Sequence, residues 1–252
     1  MRIDLAGRVV LVTGASRGIG AAAAEAFASA GATVAVHYGR HREAAEALAA
    51  RLGHGARAFG TDLADAHAAQ RLWDDVAAAF ERVDVLVNNA AVAEAASPEA
   101  PLDAWLAGWE RTMAVNLRAV GVLCRAAVAH FAARGGGRIV NVASRAAFRG
   151  DTPDYLAYAA SKAGVVALTR SIARGYGKAG VVAFTVAPGF TRTDMARPFL
   201  DAYGADYATA DLALDRLTEP ADVAPLVVFL ASGLADHATG ATVDVNAGSY
   251  VH

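Results

Sequence analysis

The stretch Arg8 to His37, RVVLVTGASRGIGAAAAEAFASAGATVAVH, decides the fold. Arg8 to Val12 is short, largely β-branched and apolar without alternation, the pattern of a parallel strand covered on both faces. Gly14, Gly18 and Gly20 then crowd into a turn. An Ala-rich run from about Ile19 to Ala30 reads as a helix, and Gly31 stands where a helix C-terminus favours glycine. Thr33 to His37 (TVAVH) is a second strand of the same kind. Strand, tight turn, helix and strand together make one crossover unit of a parallel sheet.

The alternation continues outward from this unit. Strand-like runs cover Ala56 to Gly60, Val83 to Val87, Arg138 to Val142, Val181 to Val186 and Ala241 to Val245. Helical stretches cover Glu43 to Leu52, Ala66 to Phe80, about Leu102 to Arg134, Tyr155 to about Gly175, and Asp222 to Leu230. Asp194 to Leu217 has no clean period and is expected to be a mobile insertion that meets the substrate. With no linker, repeat or low-complexity tract, the expectation is one α/β domain over residues 1–252. Its fold class is a Rossmann-type, doubly wound parallel sheet with helices on both faces. Ligands of such sheets bind beyond the carboxyl ends of the strands, so functional residues should follow the strand runs.

Composition narrows the function classes. Of the 252 residues, 55% are hydrophobic, enough for a sizeable core, and the formal net charge of -2 gives no global attraction for nucleic acid. Cys124 is the only cysteine, which excludes an internal disulfide and a multi-cysteine zinc site; no metal is expected. In the apolar run Val120 to Val128 it reads as a small buried core residue. Met1 to Gly7 lacks the shape of a signal peptide, and the apolar runs are broken short of a membrane span, so a cytoplasmic protein without a membrane partner is expected.

The turn after the first strand reads Thr13-Gly14-Ala15-Ser16-Arg17-Gly18-Ile19-Gly20. Glycines let the backbone turn tightly and approach a ligand, and the helix that follows offers free N–H groups and a positive dipole end. A pyrophosphate suits such a place, and Arg17 there is unfavourable unless an anion offsets it. Further on, Tyr158 and Lys162 stand four residues apart on one helix, hence on one face. Ser144 follows the fifth strand, fourteen positions upstream of Tyr158. Tyr155 is a decoy, because the residue four positions after it is Ala159. An ammonium beside a phenol favours the phenolate and should lower its pKa, so that Tyr158 can exchange a proton with a carbonyl or alcohol oxygen. Ser144 could hydrogen-bond the same oxygen.

The T-G-x-x-x-G-x-G turn, Asn88-Asn89-Ala90 after the fourth strand, Ser144 and the Y-x-x-x-K run resemble the short-chain dehydrogenase/reductase family. Within the family the likeness is to its 3-oxoacyl carrier-protein reductase-like branch. The resemblance extends from Gly7 to about Gly248, with Ala91 where the family has glycine and Asp244-Val245-Asn246-Ala247-Gly248 where a V-D-G-G ending is common. It implies a nicotinamide dinucleotide held by Gly14, Ser16, Arg17, Gly18, Ile19 and Gly20. Asp62 and Leu63 would lie at the adenine, Asn89 and Ala90 along the adenosine side, and Pro188, Gly189, Thr191 and Thr193 beside the nicotinamide carboxamide. It further implies that Lys162 holds the nicotinamide ribose and that Asn116 holds a water near it. Taken alone, Asp62 would read as a helix cap and Asn116 as a buried amide satisfied by backbone groups.

NAD-binding sheets place a carboxylate after the second strand against the ribose 2′-OH. Here that strand runs into Tyr38-Gly39-Arg40-His41-Arg42, with no acid before Glu43. Tyr38 therefore does not repel a 2′-phosphate, and Arg17 and Arg40 can supply charge for one, although Arg40 also reads as a solvated loop residue. NADP is favoured, with NAD as the alternative. The expected activity is NADPH-dependent reduction of a ketone to a secondary alcohol, with Tyr158 as general acid/base. The alternatives are an NAD-dependent alcohol or sugar dehydrogenase and a cofactor-binding regulator without turnover. The substrate is expected to be a small carbonyl or alcohol, free or carrier-bound, placed between Ser144, Tyr158 and the 194–217 segment. Phe199, Leu200, Tyr203 and Tyr207 of that segment would close over it as a lid or pack on a neighbouring subunit. Arg145 and Arg149 hint at an acidic substrate or carrier, or else pair with Asp151 or Asp154. The family resemblance implies a homodimer or homotetramer.

Overall fold

The computed structural model describes residues 3–197, 201, 204 and 209–251. Phe199, Leu200, Tyr203 and Tyr207, expected to face the substrate, lie outside the described residues. Seven strands form one parallel sheet in the order β3-β2-β1-β4-β5-β6-β7. They are β1 (Val9–Val12), β2 (Thr33–Tyr38), β3 (Arg57–Gly60), β4 (Val85–Asn88), β5 (Gly137–Val142), β6 (Val181–Pro188) and β7 (Thr242–Val245). The strand order reverses between β1 and β4, the switch point beyond whose carboxyl ends sheets of this kind bind ligands.

Period-two alternation divides the sheet into two cores. Val10, Val12, Val34, Val36, Val85, Val87, Val140 and Phe184 point to one face. There they meet α1 (Gly18–Ser29), α2 (Arg42–Leu52) and α8 (Pro220–Ala231). Leu11, Ala35, Leu86, Ile139 and Ala183 point to the other. They meet α3 (Ala66–Phe80), α5 (Ala119–Ala133) and α7 (Leu156–Tyr176). Burying each such valine or leucine contributes roughly 1.5–3 kcal/mol, so neither face tolerates a polar substitution cheaply. The near-continuous apolar reading of the strands follows from cover on both sides.

Several elements differ from the sequence expectation. The long helix is built of α4 (Leu102–Met113), a π-helical turn (Ala114–Arg118) and α5. The π turn widens the helix where Asn116 sits, a departure that apolar periodicity does not reveal. By length and composition Leu102–Ala133 could cross a membrane, but most of its apolar window is buried in this fold. A four-residue helix, α6 (Ala146–Arg149), follows Ser144 and was not expected, being one turn long. Asp62 does not cap α3; that role falls to Asp65, whose side chain accepts from the amides of His67 and Ala68.

Candidate active site

The glycine turn is fastened to the sheet from below. Thr13 Oγ1 accepts from the amides of Asn89 at 2.9 Å and Ala90 at 3.0 Å. Asn89 Nδ2 returns hydrogen bonds to the carbonyls of Thr13 and Gly14. This interlock leaves no room for side chains at the glycines. A Cβ on Gly14 would lie 2.8 Å from Ala90 Cα, and one on Gly20 would lie 2.5 Å from Asn89 Nδ2 and closer still to Gly14 O. Gly14 and Gly18 also have positive φ, 64° and 58°. Ile19 packs on the core, and Ser16 sits on the turn. The N-terminus of α1 has no side-chain cap, so its leading amides and this cradle suit a pyrophosphate.

His37, which sequence reasoning passed over as a strand residue, holds the same turn. It is buried, its Nδ1 accepts from Gly14 N at 3.0 Å, and its Nε2 faces Thr61 O at 3.1 Å, which requires the neutral Nε2–H tautomer. Its carbonyl also takes the amide of Ala15. Burial pushes the imidazole down to about 4, partly opposed by the Thr61 carbonyl. Because the folded pKa lies below the unfolded one, the unfolded chain binds the extra proton between about pH 4 and 6.5. His37 therefore costs stability as pH falls through that window, on the order of 2 kcal/mol by pH 5. Urea denaturation at pH 7.5 and pH 5 should show a smaller acid loss in His37→Asn than in the unmodified protein. Equal losses would remove His37 from the account.

At the end of β2, Tyr38 lays its ring over Gly60, where a Cβ would meet the ring at 2.6 Å. Leu63 is buried. Asp62 accepts from Ala64 N and from Arg111. The Ala64 amide is the main cause of its lowered pKa, and Arg111 and Arg40 add to the effect. Arg40 is thus an exposed cation close to Asp62. Arg17 pairs at 3.1 Å with Asp194, the first residue of the variable segment, so the anion that offsets it belongs to the protein itself.

After β6, Gly189 donates to Val245 O at 2.9 Å, and a Cβ there would lie 2.7 Å from Asn246 Cα. Pro188 O accepts from Arg145 N. Thr191 is buried and donates to Gly189 O. Thr193 Cγ2 stands 3.3 Å from where a Gly18 Cβ would be. The chain after β6 therefore closes on the glycine turn, and one extended ligand could touch both.

Ser144, Tyr158, Lys162 and Asn116 come together at the end of β5. Ser144 Oγ accepts from Ala146 N at 3.1 Å, and its hydroxyl stands near enough to the Tyr158 phenol to favour the ionised form. Lys162 Nζ is buried, donates to Val142 O at 2.8 Å and lies 5.7 Å from the centre of the Tyr158 ring. Burial lowers Lys162 to about 8. Tyr158 moves opposite to expectation. Burial raises its pKa, the Ser144 hydrogen bond opposes the rise, and the charge of Asp151 adds to it. The Lys162 ammonium lies over the ring and is hydrogen-bonded to the Val142 carbonyl, and it is not among the causes of the shift. Asn116 bridges Val92, accepting from its amide and donating to its carbonyl, both at 2.9 Å. It also donates to Ser161 Oγ, and that hydroxyl donates to Tyr158 O. The amide is thus satisfied, chiefly by backbone, while it ties the π turn to the helix of Tyr158.

The remaining side chains are placed as follows. Cys124 is buried beside Asn88 and Asn141, and burial pushes its thiol up to about 12, as suits an inert core residue. Arg145 and Arg149 pair with neither Asp151 nor Asp154 but with Asp211. Among the described residues no cluster could hold a metal ion. A cleft lined by Arg8, Asp84, Arg138 and Asp236 lies at the opposite ends of the strands, its walls joined by ion pairs.

Comparison with known proteins shows the family. A family model described as enoyl-(acyl carrier protein) reductase matches residues 14–250. The chain is 40% identical over 250 residues to D-threitol dehydrogenase of Mycolicibacterium smegmatis, covering 98% of this chain and 94% of that one. A short-chain dehydrogenase from Burkholderia cenocepacia, solved in complex with NADP, matches with a TM-score of 0.87 at 37% identity over 99% of each chain. A 3-ketoacyl-(acyl-carrier-protein) reductase from Brucella melitensis, complexed with NADH, matches with a TM-score of 0.88 at 29% identity, covering 98% of this chain and 100% of that one. The regulator alternative is thereby set aside. The chain belongs to the short-chain dehydrogenase/reductase family and is an NAD(P)-dependent oxidoreductase acting on the alcohol/carbonyl couple.

Proposed function

We propose that the protein reduces a ketone to a secondary alcohol with NADPH, in one domain that carries both the cofactor and the substrate sites. The observation that carries this reading is the convergence of Ser144, the Tyr158 phenol and buried Lys162, whose Nζ lies 5.7 Å from the centre of the Tyr158 ring. The bound dinucleotide supplies the hydride. Ser144 and Tyr158 then take the carbonyl oxygen between their hydroxyls, and Tyr158 passes its proton to that oxygen as negative charge develops on it. A phenol held above its ordinary pKa is fully protonated at neutral pH, which suits an acid in the reductive direction. Lys162 holds the nicotinamide ribose and Asn116 keeps a water beside it.

The case for NADP rests on Tyr38 and Arg40, where no carboxylate stands to repel a 2′-phosphate. Titration of the protein with NADPH and NADH, followed by cofactor fluorescence, should give NADPH at least about tenfold the tighter binding, the size of one charge-assisted contact. Arg40→Ala should shrink that margin. A preference for NADH would reverse the assignment. The second reading, NAD-dependent oxidation of an alcohol or sugar, draws support from the D-threitol dehydrogenase relative and from the relative solved with NADH. We further propose that the protein works in the cytoplasm. It would do so as a homodimer or homotetramer through the helices of Asn116 and Tyr158, where Leu102 and Leu156 are exposed.

A further inference from the structure

Arg145 follows Ser144 directly, its amide bound to Pro188 O at the end of β6. Arg149 lies one turn on, along α6, on the same face. Both guanidiniums converge on one oxygen of Asp211: Arg145 Nη1 at 3.2 Å and Arg149 Nη1 at 2.7 Å from Oδ2. The Arg145 side chain is only 18% exposed. Asp211 belongs to the variable segment that also faces the cofactor turn through Asp194. Asp151 acts on Arg145 and on Tyr158 through its charge, so the arginine, the phenol and this carboxylate share one neighbourhood. Yet Asp151 is within ion-pair distance of neither arginine, and its Oδ1 accepts from Thr152 N. Two cations therefore rest on one carboxylate oxygen.

That arrangement is under-used. Two guanidinium groups can each take one oxygen of the same carboxylate, which is stronger than sharing a single oxygen. Asp211 satisfies the pair with Oδ2 alone. Burial and the like charge of Arg149 hold Arg145 below the ordinary arginine range, and Asp211 and Asp151 only partly offset this. We propose that Arg145 and Arg149 form the carboxylate-binding end of the substrate site, that the substrate is an oxo or hydroxy acid, and that Asp211 occupies its place until it binds. This rests on reading Ser144 and Tyr158 as the carbonyl end. A carboxylate is favoured over a neutral polyol because the cradle already holds one.

The test separates binding from turnover. Protein saturated with NADP⁺ cannot reduce a ketone, so it can be titrated with 4-oxopentanoate, 5-oxohexanoate and 6-oxoheptanoate and with their primary amides, followed by calorimetry. At least one acid should bind about tenfold more tightly than its amide, a charge-assisted contact having roughly twice the strength of a neutral one. Arg149→Gln and Arg145→Gln should each erase most of that margin. Asp211→Asn should move the acid the other way, tightening it by removing the competitor, a gain that a misfolded variant would not produce. Equal binding of acid and amide, binding of neither, or a margin that survives both arginine substitutions would overturn the assignment. Failure of the oxidoreductase reading would look different: acids would bind selectively, but no ketone would be reduced with NADPH.

Discussion

Replacing Tyr158 by phenylalanine is expected to lower turnover by about 10²- to 10⁴-fold, the usual worth of a positioned proton donor. The substitution removes one oxygen and leaves the ring in place beside Lys162 Nζ, 5.7 Å from its centre. Lys162 keeps its hydrogen bond to Val142 O, and Asn116 keeps its contacts through Ser161, because neither involves the phenol. Dinucleotide affinity should therefore change little, and the loss should fall on kcat. The measurement pairs a cofactor fluorescence titration with steady-state rates on a panel of ketones. Turnover within a few-fold of the unmodified protein would remove Tyr158 from the chemistry. Ser144→Ala removes the neighbour that opposes the rise of the phenol pKa and would be a useful companion.

Gly20→Ala should be the second large effect, and it should appear in binding and stability together. The added methyl would meet the backbone oxygen of Gly14 and Nδ2 of Asn89. Neither can retreat easily, since Asn89 is fastened to the carbonyls of Thr13 and Gly14 and its amide to Thr13 Oγ1. Overpacking of this sort costs about 1–3 kcal/mol, or several degrees in Tm for a protein of this size. The displaced turn should also weaken dinucleotide binding by tenfold or more, about 1.4 kcal/mol. Gly175→Ala is the control: it lies in α7 with nothing within 4 Å of the added methyl, and should be neutral or slightly stabilising. Calorimetric melting and cofactor titration of both variants decide the matter. A Gly20→Ala protein that melts and binds like the parent would mean that the turn yields more readily than its contacts suggest.

What could be read from the sequence follows the range of the interactions involved. The sheet was legible because strands buried on both faces announce themselves residue by residue, as Val9 to Val12 and Val85 to Val87 do. The catalytic candidates were legible because Tyr158 and Lys162 are local to one helix and Ser144 ends a strand. The partners of the arginines were not. Arg17 meets Asp194 from 177 positions away, and Arg149 meets Asp211 across 62, so the nearby Asp151 and Asp154 were the wrong guides. His37 was overlooked because a buried histidine in a valine-rich strand carries no pattern; only the approach of Gly14 N gives it a task. The direction of the Tyr158 shift was likewise set by enclosure and by the charge of Asp151, neither visible in a spacing of four.

The π turn between α4 and α5 has a consequence for the phase of the whole helix. Each residue of an ordinary helix advances the side chains by about 100°. The wide turn at Ala114–Arg118 accommodates a supernumerary residue, so everything after it is rotated relative to everything before it. Upstream, the helix can offer Trp105 and Trp109 stacked on each other. Downstream, it can present Leu123, Ala127 and Phe131 to the sheet. A strictly regular helix could not keep both faces correctly aimed and also point Asn116 at Val92. Removing a single residue here would leave hydrophobicity, length and helix propensity almost untouched, yet it would put the two halves of the rod out of step.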